Sequence, residues 1–189
     1  MKFIEKIFRQ PTCPWWFLFT FDNSLRRLYQ DPEKILTPYL RPGNRVLDLG
    51  CGMGYFSIPA AVLVGEEGMV FAVDLQQRML DGLKRRAEKY HVESRILCHK
   101  ASQDRIGVGD KVDFALAFWM VHEVHDRESF IAQIWELLGP GGKLMIAEPY
   151  FHVSKQDFLR TFRILDQTGF TMIDEPRIGF SRTILAERE

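Results

Sequence analysis

Val46-Leu47-Asp48-Leu49-Gly50-Cys51-Gly52-Met53-Gly54-Tyr55 is the stretch on which the fold turns. A short apolar run, the profile of a strand buried on both faces, ends at three glycines set at alternate positions, and a helical pattern follows. Glycine is needed where the backbone turns sharply or where a ligand must approach without a Cβ in the way. The dinucleotide fingerprint G-x-G-x-x-G would place its third glycine at position 55, which is Tyr55. Here that glycine comes one residue early, at Gly54, so the ligand suited to this loop need not carry a pyrophosphate. Cys51 reads as a small loop residue rather than a nucleophile. Alone, such a run could be no more than a tight strand-to-helix turn.

The pattern on either side is regular. Short apolar runs predict strands at 45–49, 69–73, 95–98, 112–118, 144–147, 170–173 and 183–186. Between them helices are expected at 55–64, closed by Gly65 and bent by Pro59, and at 76–90, with Met79, Leu80, Leu83 and Ala87 on one face. Two more are expected at 127–138, with Asp126 as N-cap, and at 155–167, ending near Gly169. Gly139-Pro140-Gly141-Gly142 breaks the chain ahead of the fifth strand. Strands alternating with helices of this length predict a doubly wound α/β fold, a mostly parallel seven-stranded sheet with helices on both faces.

Residues 1–44 differ in composition, with Pro11, Pro14 and an aromatic cluster of Trp15, Trp16, Phe17, Phe19 and Phe21. They are expected to form a helical cap or lid over one compact unit of residues 45–189. A helix is expected at 24–29, capped by Asp22 or Asn23, and a second opens at Asp31-Pro32-Glu33 with an N-cap, an N1 proline and a first-turn acid. The aromatic cluster either walls an apolar acceptor pocket or simply fixes these helices to the sheet. Arg26-Arg27 and Lys84-Arg85-Arg86 read as solvated faces.

With 189 residues, 46% hydrophobic and 26% charged, the chain can build a full core, and a disordered or fibrous protein is excluded. Twenty-five basic residues balance twenty-five acidic ones, which argues against a binder held by phosphate attraction. Cys13, Cys51 and Cys98 are odd in number and share no ligand spacing, so neither a disulfide framework nor a metal site is expected. No apolar run reaches the ~18 residues of a membrane span. The amphipathic start lacks the apolar stretch of a secretory signal, and a cytoplasmic setting is expected.

In context the loop resembles motif I of class I S-adenosylmethionine-dependent methyltransferases. Asp48 sits in its lead-in, Asp74 ends the next strand, and Val121-His122-Glu123-Val124 follows the fourth strand as in members acting on small molecules. The run 137–146, with Gly139-Pro140-Gly141-Gly142 at its centre, is similar to the family's turn into the fifth strand. The resemblance covers roughly residues 35–189 and implies a Rossmann-like methyltransferase with S-adenosylmethionine as cofactor. It further implies that Gly50, Cys51, Gly52 and Gly54 form the cofactor loop, with Gly50 and Gly52 letting backbone approach the methionine and ribose parts. Asp48 would orient the loop and the ligand's ammonium group, Asp74 would accept the ribose hydroxyls, and Leu75 would pack on adenine. The family's acid after the third strand is missing from Lys100-Ala101-Ser102-Gln103, where Ala101 and Ser102 would line the cofactor and Ser102 or a backbone amide would replace the acid.

Methyl transfer from a sulfonium asks for alignment, exclusion of water and, where needed, removal of a proton. His122 and Glu123, with His125 nearby, are the candidates for that last role, against the bland alternative of a helix cap. Phe118 and Trp119 could flank the adenine or the sulfonium, although Phe118 equally suits the core. The leading expectation is an enzyme methylating a small-molecule acceptor, with no nucleic-acid or membrane partner, as monomer or homodimer. Alternatives are methylation of RNA, DNA or protein, against which no Asn-Pro-Pro-Tyr-type motif or pyrimidine-attacking cysteine follows the fourth strand, and a non-catalytic cofactor binder. A nicotinamide dehydrogenase fits least, for want of the third glycine position and a Tyr-x-x-x-Lys pair.

Overall fold

The computed structural model describes residues 26–189. Seven strands, β1 (Arg45–Leu49), β2 (Met69–Asp74), β3 (Ile96–Lys100), β4 (Val112–Phe118), β5 (Leu138–Pro149), β6 (Phe170–Asp174) and β7 (Ser181–Arg188), form one sheet. Its order is β3-β2-β1-β4-β5-β7-β6. The first five strands pair in parallel, and β7 runs antiparallel to both of its neighbours. Chain order reverses between β1 and β4, and in open α/β sheets that reversal leaves a crevice beyond the carboxyl ends of the strands.

The helices are α1 (Pro32–Leu36), α2 (Ser57–Val64), α3 (Gln77–Lys89), α4 (Arg127–Leu137) and α5 (Lys155–Thr168), with 3-10 turns at Arg26–Leu28, Glu93–Arg95 and Val121–Glu123. Side chains alternate across each strand, so successive residues feed two separate cores. Val46, Val70 and Leu116 pack with Leu36 of α1, Ala60 and Val64 of α2, and Leu80 and Leu83 of α3. Leu47, Ala115 and Ile146 pack with Ile131 and Ile134 of α4 and Ile164 and Leu165 of α5. A fully buried Leu such as Leu36 contributes about 1.5–3 kcal/mol by leaving water.

Local chemistry sets the ends of these elements. Asp31 accepts from the Glu33 N–H with Pro32 at the first helical position. Asp126 accepts from Ser129 N–H, and Gly169 closes α5 in the left-handed region. Helix α2 starts at Ser57, two residues later than expected, so Pro59 falls in the first turn. There its missing N–H has no intrahelical partner to lose, and the anticipated disruption does not arise. Strand β5 begins at Leu138 instead of 144, because Leu138 pairs with Val112 before the Gly-Pro-Gly-Gly run bulges out and the pairing resumes at Phe114 and Lys143. The helix expected at 24–29 is, in its described part, the 3-10 turn Arg26–Leu28. Its caps and the aromatic cluster of residues 15–21 lie outside the described residues, as does Cys13.

Arg26 and Arg86 correct the expectation of solvated basic faces. Arg26 is buried while Arg27 is exposed, as successive residues on a tight turn must diverge. Arg86 turns under the glycine loop and donates to the Met53 carbonyl at 3.1 Å. Among the described residues no helix is long and apolar enough to cross a membrane.

Candidate active site

A cleft of about 750 Å³ opens over the carboxyl ends of β1, β2 and β4, where the sheet order reverses. Its floor is the glycine loop. Gly50 sits at φ +68, and a Cβ there would lie 3.0 Å from Met120 Cβ and Cγ. The Gly50 and Cys51 N–H groups both donate to the Val73 carbonyl, which ties the loop to β2. Gly52 donates at 3.0 Å to Asp74 Oδ2, and Gln76 N–H donates at 2.8 Å to Asp74 Oδ1. One carboxylate thus holds both the loop and the start of α3. Burial raises its pKa above the usual carboxylate value, an effect that the backbone donors partly offset.

Asp48 also lines the cleft but is almost fully buried, and it accepts a hydrogen bond from Ser57 Oγ in the first turn of α2. Burial, reinforced by the charge of Asp74, lifts its pKa to about 7 against the Ser57 hydrogen bonds. Cys51 is buried, and burial pushes its thiol up as well, away from a nucleophilic thiolate. Leu75, Ala101 and Ser102 line the cleft, and the Ala101 N–H donates to the Asp74 carbonyl.

Gly54 is the loop residue that departs from its expected place. It is not part of the cleft wall; its φ is +86, and a Cβ there would lie 2.2 Å from Leu83 Cδ1 of α3. Its lack of a side chain serves helix packing, whereas Gly52 and Gly50, the latter close against Met120, line the cleft.

The opposite wall is aromatic. Phe118 is buried and packs at 4.4 Å on Phe56, while Trp119, half-buried at φ +57, meets Phe118 at 5.7 Å and Phe151 edge-on at 5.6 Å. Backbone strain of this kind in a bulky residue is sustained only where surrounding contacts over-determine it. Trp119 supplies two of those contacts, from its N–H to the Ala147 carbonyl at 2.7 Å and from Nε1 to Ser181 Oγ at 2.9 Å. Arg26 enters the same wall with its guanidinium 4.2 Å from the Tyr55 ring centroid and 5.2 Å from that of Trp119. Its Nε donates to Oε1 of the fully buried Gln30. Sequence reasoning missed this arginine because a basic pair in a polar turn carries no burial signal.

The third side carries ionisable groups. His122 and Glu123 lie on the 3-10 turn after β4 and line the cleft, with exposed His125 beyond them. His122 Nδ1 lies 2.5 Å from Oε2 of Glu148, a buried residue near the end of β5 whose Oε1 accepts from the N–H of Val121 at 2.7 Å and of His122 at 3.3 Å. Burial alone would lower the His122 pKa, yet the hydrogen bond and charge of Glu148 carry it above the ordinary histidine value. His152 meets the His122 ring edge-on at 4.8 Å, and its own pKa is lowered by burial and by His122. Glu148 was not singled out from sequence; its one signal was an acid at the carboxyl end of a buried strand. Among the described residues no three His, Cys, Asp or Glu side chains gather as a metal site.

Comparison with known proteins gives a consistent set of similarities. Residues 46–142 match a family model described as a methyltransferase domain. A protein of Saccharolobus solfataricus called "Probable cobalt-precorrin-6B C(15)-methyltransferase (decarboxylating)" is 28% identical over 57% of this chain and 53% of its own length. A ubiquinone/menaquinone biosynthesis C-methyltransferase of Haemophilus ducreyi is 27% identical over 72% of this chain and 54% of its own. The chain therefore spans about half the length of the curated relatives it matches. The crystal structure of a SAM-dependent methyltransferase from Aquifex aeolicus superposes with a TM-score of 0.84 at 22% identity, covering 94% of this chain and 100% of that one, and shares the fold.

Proposed function

This chain belongs to the family of methyltransferase domains, and from that premise we propose that it transfers a methyl group from S-adenosylmethionine to a small-molecule acceptor. The observation that carries this is Asp74, which grips the glycine loop through Gly52 while its carboxylate lines the cleft. A carboxylate offers about four lone-pair positions, so beside the backbone donors of Gly52, Leu75 and Gln76 it keeps acceptor capacity for a ribose hydroxyl. Gly50 and Gly52, both at positive φ, line the cleft and would offer backbone to the methionine and ribose parts, while a side chain at Gly50 would meet Met120. The residues present fit the cofactor.

Leu75 and Ala101 would bracket the adenine, with Ser102 offering a hydroxyl in place of the missing acid. Asp48 steadies the loop against α2, and together with Asp74 it gives this end of the cleft an acidic character that suits an ammonium group. When bound, S-adenosylmethionine supplies an electrophilic methyl group on a sulfonium. The chain's own tasks are to align the acceptor, keep water away and manage a proton. Phe118 and Trp119 offer ring faces to a cation, an attraction of about 0.5–2 kcal/mol. His122 and Glu123 stand on the acceptor side. Residues 26–44 act as a cap that lends Arg26 to the aromatic wall.

A small acceptor is supported by the cleft's 750 Å³, within the roughly 300–1,000 Å³ usual for small-molecule sites. The balance of charges supplies no net positive charge to draw a polynucleotide. Calorimetry with S-adenosylhomocysteine, followed by product assays against a panel of small acceptors and RNA, tests the proposal. Saturable one-to-one binding and turnover on a small acceptor support it; no binding overturns it, and turnover on RNA alone overturns the acceptor class.

A further inference from the structure

Glu148 does not line the cleft, yet it governs a residue that does. One carboxylate oxygen accepts from the two backbone N–H groups of the turn that carries His122, and the other takes the His122 ring nitrogen Nδ1. Backbone and ring are thereby fixed from the same buried side chain. With Nδ1–H donating to Glu148, the remaining nitrogen, Nε2, is the acceptor of the neutral ring, the arrangement by which a buried carboxylate orients a histidine base elsewhere. No serine or cysteine hydrogen-bonded to this ring completes a nucleophilic triad among the described residues, so a proton from a cleft ligand is what the pair is built to receive.

Resting on the methyltransferase reading of the cleft, we propose that Glu148 is the positioning residue of a proton-accepting pair with His122, and that the acceptor is a phenol-type hydroxyl. The chemistry of the alternatives singles out that class. An amine attacks with its free lone pair and sheds its proton afterwards, and a thiol ionises near pH 8.5 unaided. A phenol ionises near 10, so only about one molecule in a thousand is nucleophilic at neutrality. A held base makes the largest difference there. The walls agree: Phe118, Trp119 and Phe151 line the cleft, and the edge-on pair of Trp119 and Phe151 offers a ring-sized contact.

The step balances. The acceptor O–H bond breaks as its oxygen bonds to the methyl carbon, and the electron pair of the breaking methyl–sulfur bond stays on sulfur, leaving a neutral thioether. The proton passes to His122 Nε2, and the positive charge lost from sulfur reappears on the imidazolium beside Glu148. Groups facing that imidazolium are Glu148 from β5, Glu123 on its own turn, His152 beyond β5 and Arg127 of α4. Arg127 is itself held by Asp157 of α5.

Chromogenic phenols test this without knowledge of the natural acceptor. The protein is titrated with 4-nitrophenol and 4-nitrocatechol, with and without S-adenosylhomocysteine, and phenolate absorbance is followed between pH 5 and 9. The bound probe is expected to be about tenfold or more ionised than the free probe below its own midpoint, the effect of one pKa unit. That gain should vanish in His122→Gln and shrink in Glu148→Gln. The His122 ring, followed by NMR, should titrate above the ordinary histidine range in the wild type and fall toward it in Glu148→Gln, with S-adenosylhomocysteine affinity unchanged in both variants. Probes that bind but titrate as in water, probes that fail to bind, or a gain that survives His122→Gln would overturn the pair. An unaltered His122 titration in Glu148→Gln would overturn the positioning role. His122→Gln alters a part-exposed residue and keeps the test decisive if Glu148→Gln does not fold. Failure of S-adenosylhomocysteine to bind the wild type would count against the methyltransferase reading separately, since the nitrophenol titration is also run without it.

Discussion

Replacing Gly54 by alanine separates two uses of glycine that look identical in the sequence. At φ +86 an L-residue costs about 1–2 kcal/mol. The new methyl group would also lie 2.2 Å from Leu83 Cδ1, and Leu83 is fully buried, so it cannot swing out into solvent. Forcing an extra carbon into such a core costs about 1–3 kcal/mol. Together these predict a loss of roughly 2–5 kcal/mol, and for a chain of this length a central value of about 3 kcal/mol lowers Tm by roughly 10 °C. Urea unfolding followed by circular dichroism measures the loss. Leu83→Ala should itself cost about 2–5 kcal/mol. The double variant should lose less than the sum by about 1–3 kcal/mol, because the added methyl fills vacated space. The folded Gly54→Ala variant should bind S-adenosylhomocysteine within about twofold of wild type, equivalent to under 0.5 kcal/mol. Intact stability with weakened binding would refute the packing role and return Gly54 to the cofactor contact that its motif suggests.

Asp74→Asn should weaken S-adenosylhomocysteine binding by about 1–3 kcal/mol, read by calorimetry, since it discharges the carboxylate offered to the ribose; equal affinity would count against that contact. Asp48 should make stability fall as pH rises. Its folded pKa of about 7 exceeds the unfolded value of 3.8, so between those limits the folded state holds the extra proton and each step up in pH favours unfolding. The urea midpoint of Asp48→Asn, compared with wild type from pH 4.5 to 7.5, should therefore gain relative stability toward neutrality. Arg127→Met removes the two-point bridge to Asp157, at 2.9 and 3.0 Å, between α4 and α5. It should cost up to about 1 kcal/mol at pH 7. The Asp157 pKa is depressed, so that loss should fade as pH falls through the carboxylate range.

The sheet was legible because strands β1, β2 and β4 are buried on both faces and so must be apolar at nearly every position. The loop at residues 50–54 was legible because backbone at positive φ admits few residues besides glycine. What escaped were facts of tertiary neighbourhood. Nothing local separates Gly54, pressed on Leu83, from Gly52, open to the cleft. Arg26 and Arg27 are the same letter, yet one is buried among rings and the other is in water. Glu148 gains its meaning from His122, twenty-six positions away, once β4 and β5 lie side by side. Pro59 shows the reverse error: an alarming residue made harmless by a two-residue shift of the helix start.

The clamp formed by Asp74 has a consequence for kinetics. Gly52 and Gln76 are stitched together through Asp74 by the chain's own hydrogen bonds, so the nucleoside would enter a vessel cast in advance, and little ordering entropy remains to be lost on arrival. Association should then follow a single exponential whose rate climbs linearly with concentration, with no slow isomerisation trailing it. Differences in affinity among nucleoside analogues would reside in how long each one stays.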